Sequence, residues 1–396
     1  MKKGIVFCGG LIMMMQTYTL SAQPFTNVNS VVPYKSDMSV LYGKDIVIYD
    51  RPNQNQRKVA ICSAFNGWLY AAILYQGDTN MKTIVLKSVD NGLNWDSIGY
   101  CFNYSGNWIT KKVEIVSYGV SVQNIKIFVG GLFYDTITQE RAIRIVRFNG
   151  YTGAFESTVQ AINSENYDIS LVSNNDSSDL PIIGLLYDGR RIDSKHQTVL
   201  DYSVDGGYNF YFVIIAVYNY PHIIDDVSLS YGKCVSSSQG KFFAAWKVKD
   251  SPTSDVKHIY TSHSLTNYSS SFTVPVCIDS INPSDISLCR NPEIGCQYGQ
   301  MDNDSSNLTS VILYEKYDPV SGNYDVKGYY NLQATSSSCF RPLSFTNSSH
   351  NNLQQDIAFN PYDSSFLVTW FDSTTKQLRC VKNDFNISNP NSWMTV

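Results

Sequence analysis

Short apolar runs with the length and composition of β-strands recur along this chain in one fixed order. The first run of each set follows an acid: Asp168-Ile169-Ser170-Leu171, Asp226-Val227-Ser228-Leu229, Asp285-Ile286-Ser287-Leu288 and Asp356-Ile357-Ala358-Phe359, with weaker copies at Glu114-Ile115-Val116-Ser117 and Ala60-Ile61-Cys62-Ser63. Repeat starts near 60, 114, 168, 226, 285 and 356 define six units. A second, more continuously apolar run follows in each: 68–76, 125–135, 181–188, 241–248, 309–314 and 365–372. Then comes a polar loop, such as Tyr317-Asp318-Pro319-Val320-Ser321-Gly322-Asn323, and a third run, such as 142–146, 257–261 or 376–381. The fourth run is marked by an aromatic: Trp95, Phe155, Phe210, Phe272, Phe340 or Trp393. No stretch carries a 3.6-residue period. Four short strands per unit, separated by Gly, Pro, Asn and Asp turns, predict an all-β chain, a six-bladed β-propeller of four-stranded antiparallel blades.

A second repeat reinforces the first. Ser88-Val89-Asp90-Asn91-Gly92-Leu93-Asn94-Trp95 and Ser203-Val204-Asp205-Gly206-Gly207-Tyr208-Asn209-Phe210 share the form S-x-D-x-G-x-x-[WF], and each follows a β-type run. The Asp carboxylate can accept turn N–H groups, the Gly supplies a positive φ, and the aromatic folds back as a plug. Ser88, Asp90, Gly92, Trp95, Ser203, Asp205, Gly207 and Phe210 are therefore expected to be structural. The motif resembles the Asp box of the sialidase/BNR-repeat superfamily. That resemblance implies a β-propeller, with the box on the turn from third to fourth strand, remote from the site. It also implies an arginine triad, a Tyr–Glu nucleophile pair and an Asp acid. The nearest counterpart of the family's first arginine motif, Tyr49-Asp50-Arg51-Pro52, departs from it by an inserted Asp and a missing residue between Arg and Pro. Glu293 and Glu315 are the late glutamates that lie near a first or second strand.

Residues 1–22 read as a secretory signal peptide: Lys2-Lys3, an apolar run from Ile5 to Met15, and the small-residue site Leu20-Ser21-Ala22 before Gln23. The apolar run is too short to span a bilayer, and no later segment has the length of a transmembrane helix. Residues 23–396 are expected to form the single propeller, with 23–59 supplying a closing strand to the sixth repeat from Met38–Tyr42 or Asp45–Tyr49. The expected setting is extracellular and bacterial. A net charge of −4 with dispersed signs excludes a basic nucleic-acid stripe. Beyond the leader lie Cys62, Cys101, Cys234, Cys277, Cys289, Cys296, Cys339 and Cys380. Six of these recur in register on first and fourth strands, but those strands are about 14 Å apart, and a disulfide needs Cα atoms within about 7 Å. Disulfides at converging strand ends and buried thiols both stay open.

The acids Glu114, Asp168, Asp226, Asp285 and Asp356 are expected to precede the innermost strands and ring one face. There they either satisfy their own loops or gather a cation or a polyhydroxyl ligand, which makes Ca2+ the cofactor candidate. Arg190 and Arg191, with Lys195 and His196, and Tyr218 and Tyr220, with His222, belong to loops on the same face. Forked guanidinium bonds and ring stacking would suit a carboxylated sugar. No catalytic residue is assigned. The reading is a secreted, monomeric, sialidase-like propeller that binds a glycan or another extracellular ligand without catalysis. An exo-acting, sialidase-like glycoside hydrolase and a scaffold for a protein partner remain open.

Overall fold

The computed structural model describes residues 55–76, 80–163, 168–174, 181–190, 195–234, 240–251, 253, 257–265, 271–278, 289–300, 308–331, 340–346, 349–360, 365–383 and 394–395. Six antiparallel four-stranded sheets follow one another along the chain, the blades of a six-bladed β-propeller. Two compact units divide them, the first holding two blades and the second four.

In the first unit, blade one is β1 (Asn55–Ser63), β2 (Leu69–Gln76), β3 (Asn80–Ser88) and β4 (Asp96–Ser105). Blade two is β5 (Trp108–Tyr118), β6 (Lys126–Asp135), β7 (Arg141–Asn149) and β8 (Phe155–Asn163). Tyr70, Leu74, Val85, Val113, Ile127, Phe133 and Phe148 form the core of this unit. In the second unit, blade three is β9 (Ile169–Ser173), β10 (Ile183–Arg190), β11 (His196–Ser203) and β12 (Tyr211–Tyr218). Blade four is β13 (Ile223–Cys234), β14 (Lys241–Lys249), β15 (Lys257–His263) and β16 (Val276–Cys277). Blade five is β17 (Cys289–Cys296), β19 (Ser310–Asp318), β20 (Asn323–Asn331) and β21 (Phe340–Ser344), with β18 (Tyr298–Gln300) inserted after its first strand. Blade six is β22 (Asn352–Asn360), β23 (Ser365–Asp372), β24 (Gln377–Asn383) and β25 (Met394–Thr395).

The continuously apolar second runs are central strands: β6 and β14 are buried on both faces over most of their length. In the second unit, Leu186, Leu200, Val227, Leu229, Phe242 and Trp246 fill the space between blades three and four. Phe243, Ile259, Ile294 and Ile312 do so between four and five, and Val311, Leu313, Phe366 and Val368 between five and six. The outer strand β12 alternates less cleanly and leaves Tyr211 and Phe212 exposed. The short β18 adds in parallel to the end of β13, a pairing that no hairpin signal announces. The expected closing strand and Trp393 lie outside the described residues.

Both repeated turns join a third strand to a fourth and share one hydrogen-bond pattern. The Ser88 hydroxyl donates to Asp90 at 2.8 Å and accepts the buried Gly92 N–H at 2.8 Å. Asp90 accepts the Asn94 N–H at 2.9 Å and the Asn94 side-chain amide at 2.6 Å, and the Trp95 indole donates to the Gly92 carbonyl. Ser203, Asp205, Gly207 and Asn209 repeat these bonds. Asn91–Gly92 and Gly206–Gly207 take positive φ in succession. Trp95 and Phe210 stand just before the fourth strands, which they introduce. Two features refine the sequence reading: Asn94 and Asn209 belong to the motif, and the serine, not the aspartate, serves the buried donor.

Two of the cysteines that recur in register settle the thiol alternative for blade one. Cys62 on β1 and Cys101 on β4 are thiols, with two strands between them in the same sheet. Burial pushes the Cys62 thiol up to about 12, against a weaker pull from Ser117. Cys277, Cys289, Cys296 and Cys380 are likewise thiols, while Cys339 lies outside the described residues.

Ser88→Ala or Ser203→Ala should cost about 1–3 kcal/mol, because a buried N–H loses its acceptor. Asp90→Ala should cost about 1 kcal/mol or less, because water can serve the exposed Asn94 N–H. Chemical denaturation of the three variants checks this order.

Candidate functional site

In each blade of the second unit, the end where the first strand begins also carries the loop from second to third strand. This upper end holds most of the sequence-predicted residues and lies at the opposite end of blade three from the Ser203 turn. Its central feature is a bulge in the first strand of blades four, five and six. Asp226, Asn291 and Gln354 sit at these bulges with φ of 48°, 51° and 55°, and each breaks the register with the second strand. A bulge turns an N–H away from its own ladder, and the preceding blade supplies the acceptor. Val227 donates to the Asp168 carboxylate at 2.8 Å, Asn291 to Asp226 at 3.2 Å, and Gln354 to Glu315 at 2.7 Å. One step along, Leu229 donates to the Ser170 hydroxyl and Ile294 to the Ser228 hydroxyl.

These bonds realign the repeat. Asp168 and Asp226 correspond as expected, but their counterparts in blades five and six are Asn291 and Gln354. Asp285 and the run after it lie outside the described residues, and the first strand of blade five is Cys289–Cys296. Asp356 sits two places beyond its bulge, at the position of Ser228 and Glu293. The expectation that the acids precede the innermost strands holds for Asp168; Glu114, Asp226 and Asp356 lie within them. Only acids whose side chains cap the strand from outside need precede it, whereas a bulge places a carboxylate at the same height from inside. Glu114, in the first unit, pairs with Lys112 at 3.3 Å.

The carboxylates of the second unit are heavily engaged. The Asp168 N–H donates to buried Asp188 at 2.8 Å. Asp226 pairs with buried Lys247, which also meets Asp225 at 3.1 Å, and Asp225 meets Lys249 at 2.9 Å. Burial alone would lower the Lys247 ammonium, but Asp226 and Asp225 outweigh it and hold it above the ordinary lysine range. Fully buried Glu315 accepts from Arg290 at 2.6 Å and from the Asn291 side chain at 2.9 Å, besides Gln354. Arg290 in turn stacks 3.7 Å from the Tyr324 ring centre. Asp372 accepts His350 at 2.7 Å and the Thr374 and Thr375 N–H groups. Burial opposes this, yet the Thr375 and His350 bonds hold its carboxyl well below the usual range. Asp356 differs. It is exposed, and desolvation raises its carboxyl against the bond from the Ile357 N–H.

Aromatic groups stand beside these charges at blades three and four. Tyr218 accepts the Trp246 indole N–H at 3.2 Å and packs edge-on to Tyr260 and His222. Tyr220 is exposed and precedes a cis bond to Pro221. Asp250 lies 3.8 Å from His222 and 3.9 Å from His258. Arg190 ends β10, its backbone pairing with His196; Arg191 lies outside the described residues. Among the described residues, no group of three or more His, Cys, Asp or Glu has the geometry to hold a metal ion. No helix among them is long and apolar enough to cross a membrane.

No family model matches the chain, and no curated protein matches it in sequence. Solved structures do match the fold. An α-L-arabinofuranosidase, Arb93A, from Fusarium graminearum in complex with an iminosugar inhibitor superposes with a TM-score of 0.53 at 12% identity, over 82% of this chain and 89% of that one. The GH93 α-L-arabinofuranosidase of the same fungus with arabinobiose gives 0.53 at 12%, over 81% and 90%. A point mutant of the Arb93A enzyme, also with an iminosugar inhibitor, gives 0.51 at 11%, over 83% and 92%. At these identities the likeness is one of fold, a six-bladed propeller also used by glycoside hydrolases.

Asp168→Asn should change stability by less than about 0.5 kcal/mol, because an amide oxygen can accept the same Val227 N–H. Asp226→Asn should cost about 1–3 kcal/mol, because buried Lys247 loses one of two counter-charges. Asp372 contributes stability above the unfolded carboxyl value near pH 4, and that contribution fades as pH falls further. The melting gap between wild type and Asp372→Asn should therefore be wide at pH 7 and close below pH 4. Thermal melts across this range check all three.

Proposed function

We propose that this chain is an exported, sialidase-like propeller that binds a glycan at the upper end of blades three and four without cleaving it. The observation that carries the reading is the commitment of the carboxylates there. Asp168, Asp226 and Glu315 each hold an N–H of the following blade, and Asp226 and Glu315 also hold a buried or half-buried cation. A glycosidase needs one carboxyl to deliver a proton and another to attack or to activate water. Groups fixed in this way serve the scaffold. Exposed Tyr220, in the same loop as the Tyr218–His222 ring pair, offers a ring face and polar partners of the kind sugars use. The arabinobiose held by the similar Fusarium enzyme adds support for a sugar ligand. Monomeric export with loss of residues 1–22 completes the proposal.

A second reading rests on Asp356. A solvent-facing carboxyl whose proton is held by desolvation has the character of a general acid, and Glu293 occupies the same strand position one blade away. In this reading the chain is an exo-acting glycoside hydrolase.

A glycan array with and without Ca2+, run beside fluorogenic arabinofuranoside and sialoside assays, separates the two. The binding reading expects glycan capture with no turnover, and a three- to tenfold weaker affinity in Tyr220→Ala, roughly the worth of one stacking contact. Turnover that disappears in Asp356→Asn would establish the second reading instead. N-terminal sequencing of the exported protein should begin at Gln23.

A further inference from the structure

Lys249 and Lys257 face each other across the turn between β14 and β15, a direct cross-strand pair of like charges. Such a pair is unfavourable in itself, and two further cations stand beside it. Lys247, two residues before Lys249 on the same strand face, is buried, and Arg290 reaches in from blade five. The local anions are already allocated. Asp226 pairs with Lys247, Asp225 is shared between Lys247 and Lys249, and Glu315 is bound to Arg290. Among the described residues Lys257 has no ion-pair partner, and Asp250 of the same turn lies against His222 and His258. Burial, and then the like charges of Lys247, Lys249 and Arg290, hold the Lys257 ammonium below the ordinary lysine range, with Asp225 pulling the other way. A partly exposed cation held beside like charges, with no ion-pair partner among the described residues, favours an incoming anion. Lys249, Lys257 and Arg290 are each partly open to solvent, so an anion has access. The Arg290 guanidinium also lies over the Tyr324 ring, 3.7 Å from its centre, a contact that uses none of its remaining N–H donors.

We propose that Lys249, Lys257 and Arg290 form an oxyanion seat for an acidic sugar, taking its carboxylate or sulfate group at the upper end of blades four and five. This rests on the glycan-binding reading and specifies its ligand class: a polymer rich in uronic acid or sulfate ester is bound in preference to a neutral one. Trp246 and Tyr260 stack within blade four on the strand face opposite Lys249 and Lys257, and Tyr218 of blade three packs edge-on to Tyr260.

Binding is measured by titration calorimetry at low and high salt with four probes: oligogalacturonate, a sulfated galactan oligosaccharide, a neutral arabino-oligosaccharide, and sodium sulfate alone. The expected result is tighter binding of an acidic probe than of the neutral one, weakened by salt. Lys257→Gln and Lys249→Gln should each lose roughly tenfold for that acidic probe while leaving the neutral sugar unaffected. Preference between oligogalacturonate and sulfated galactan identifies the carboxylate or the sulfate as the group seated. Melting curves must show both variants folded, and Lys257→Arg, which keeps the charge, should keep the binding. If neutral and acidic sugars bind equally and neither Gln variant changes anything, the seat is refuted while the glycan reading stands. If no sugar binds and only sulfate does, the glycan reading falls with it.

Discussion

The arrangement on which the rest of the second unit depends is the hydrogen bond from the first strand of one blade to a side chain of the blade before. Stacked sheets packed by apolar side chains alone could slide, because dispersion has little direction. Val227 to Asp168, Asn291 to Asp226 and Gln354 to Glu315 remove that freedom: each bulge presents an N–H that its own sheet cannot use, and only one height of the neighbouring blade provides an acceptor. Leu229 and Ile294, bonded to Ser170 and Ser228, repeat the constraint one step further in. The charges around Lys247 and Glu315 follow from it, since acceptors placed at a buried joint call for cations to balance them.

That joint also explains how much could be read from the chain. Second and third strands were legible to within about four residues at their ends, because central strands buried on both faces must be apolar over most of their length, as β14 is. The Asp-Gly turns were legible because few residues tolerate positive φ. The bulges were harder. Asp, Asn and Gln all serve there, since the backbone N–H and not the side chain is what every bulge shares. The run Asp285 to Leu288 copies Asp226 to Leu229 in letters, while the true counterpart, Asn291 to Ile294, shares almost none of them. In blade five the acceptor for the next blade moves from the first strand to Glu315 on the second, where no first-strand pattern could reveal it. Lys257 and Arg290 were invisible as a pair for the same reason: their meeting depends on which strand faces which neighbour, and β17 begins later than the acid motif implied.

The upper end of the second unit therefore differs from a ring of like acids. Asp168 and Asp226 are braces, Glu315 and Asp372 are buried anchors, and Asp356 is the exception, exposed yet raised by desolvation. Lys247, Lys249, Lys257 and Arg290 gather beside Asp226 and Glu315 although the whole chain is slightly acidic, so the local field comes from where the charges sit and not from their sum.

The thiols have a consequence of their own. Cys62 and Cys101 sit in the same sheet yet face no sulfur partner within reach, and the core keeps their protons on. While the blade is folded they are chemically silent, since the thiolate is the species that reacts. Opening the blade restores ordinary acidity to both at once, and in an oxidising medium they could then join to each other or to any other exposed sulfur. A sheet locked by such a link could not close again with both residues in their places. Unfolding in air would thus run one way and in reductant both ways, so in an oxidising medium the lifetime of the folded chain would be set by how seldom its blades open and not by how favourable closing is.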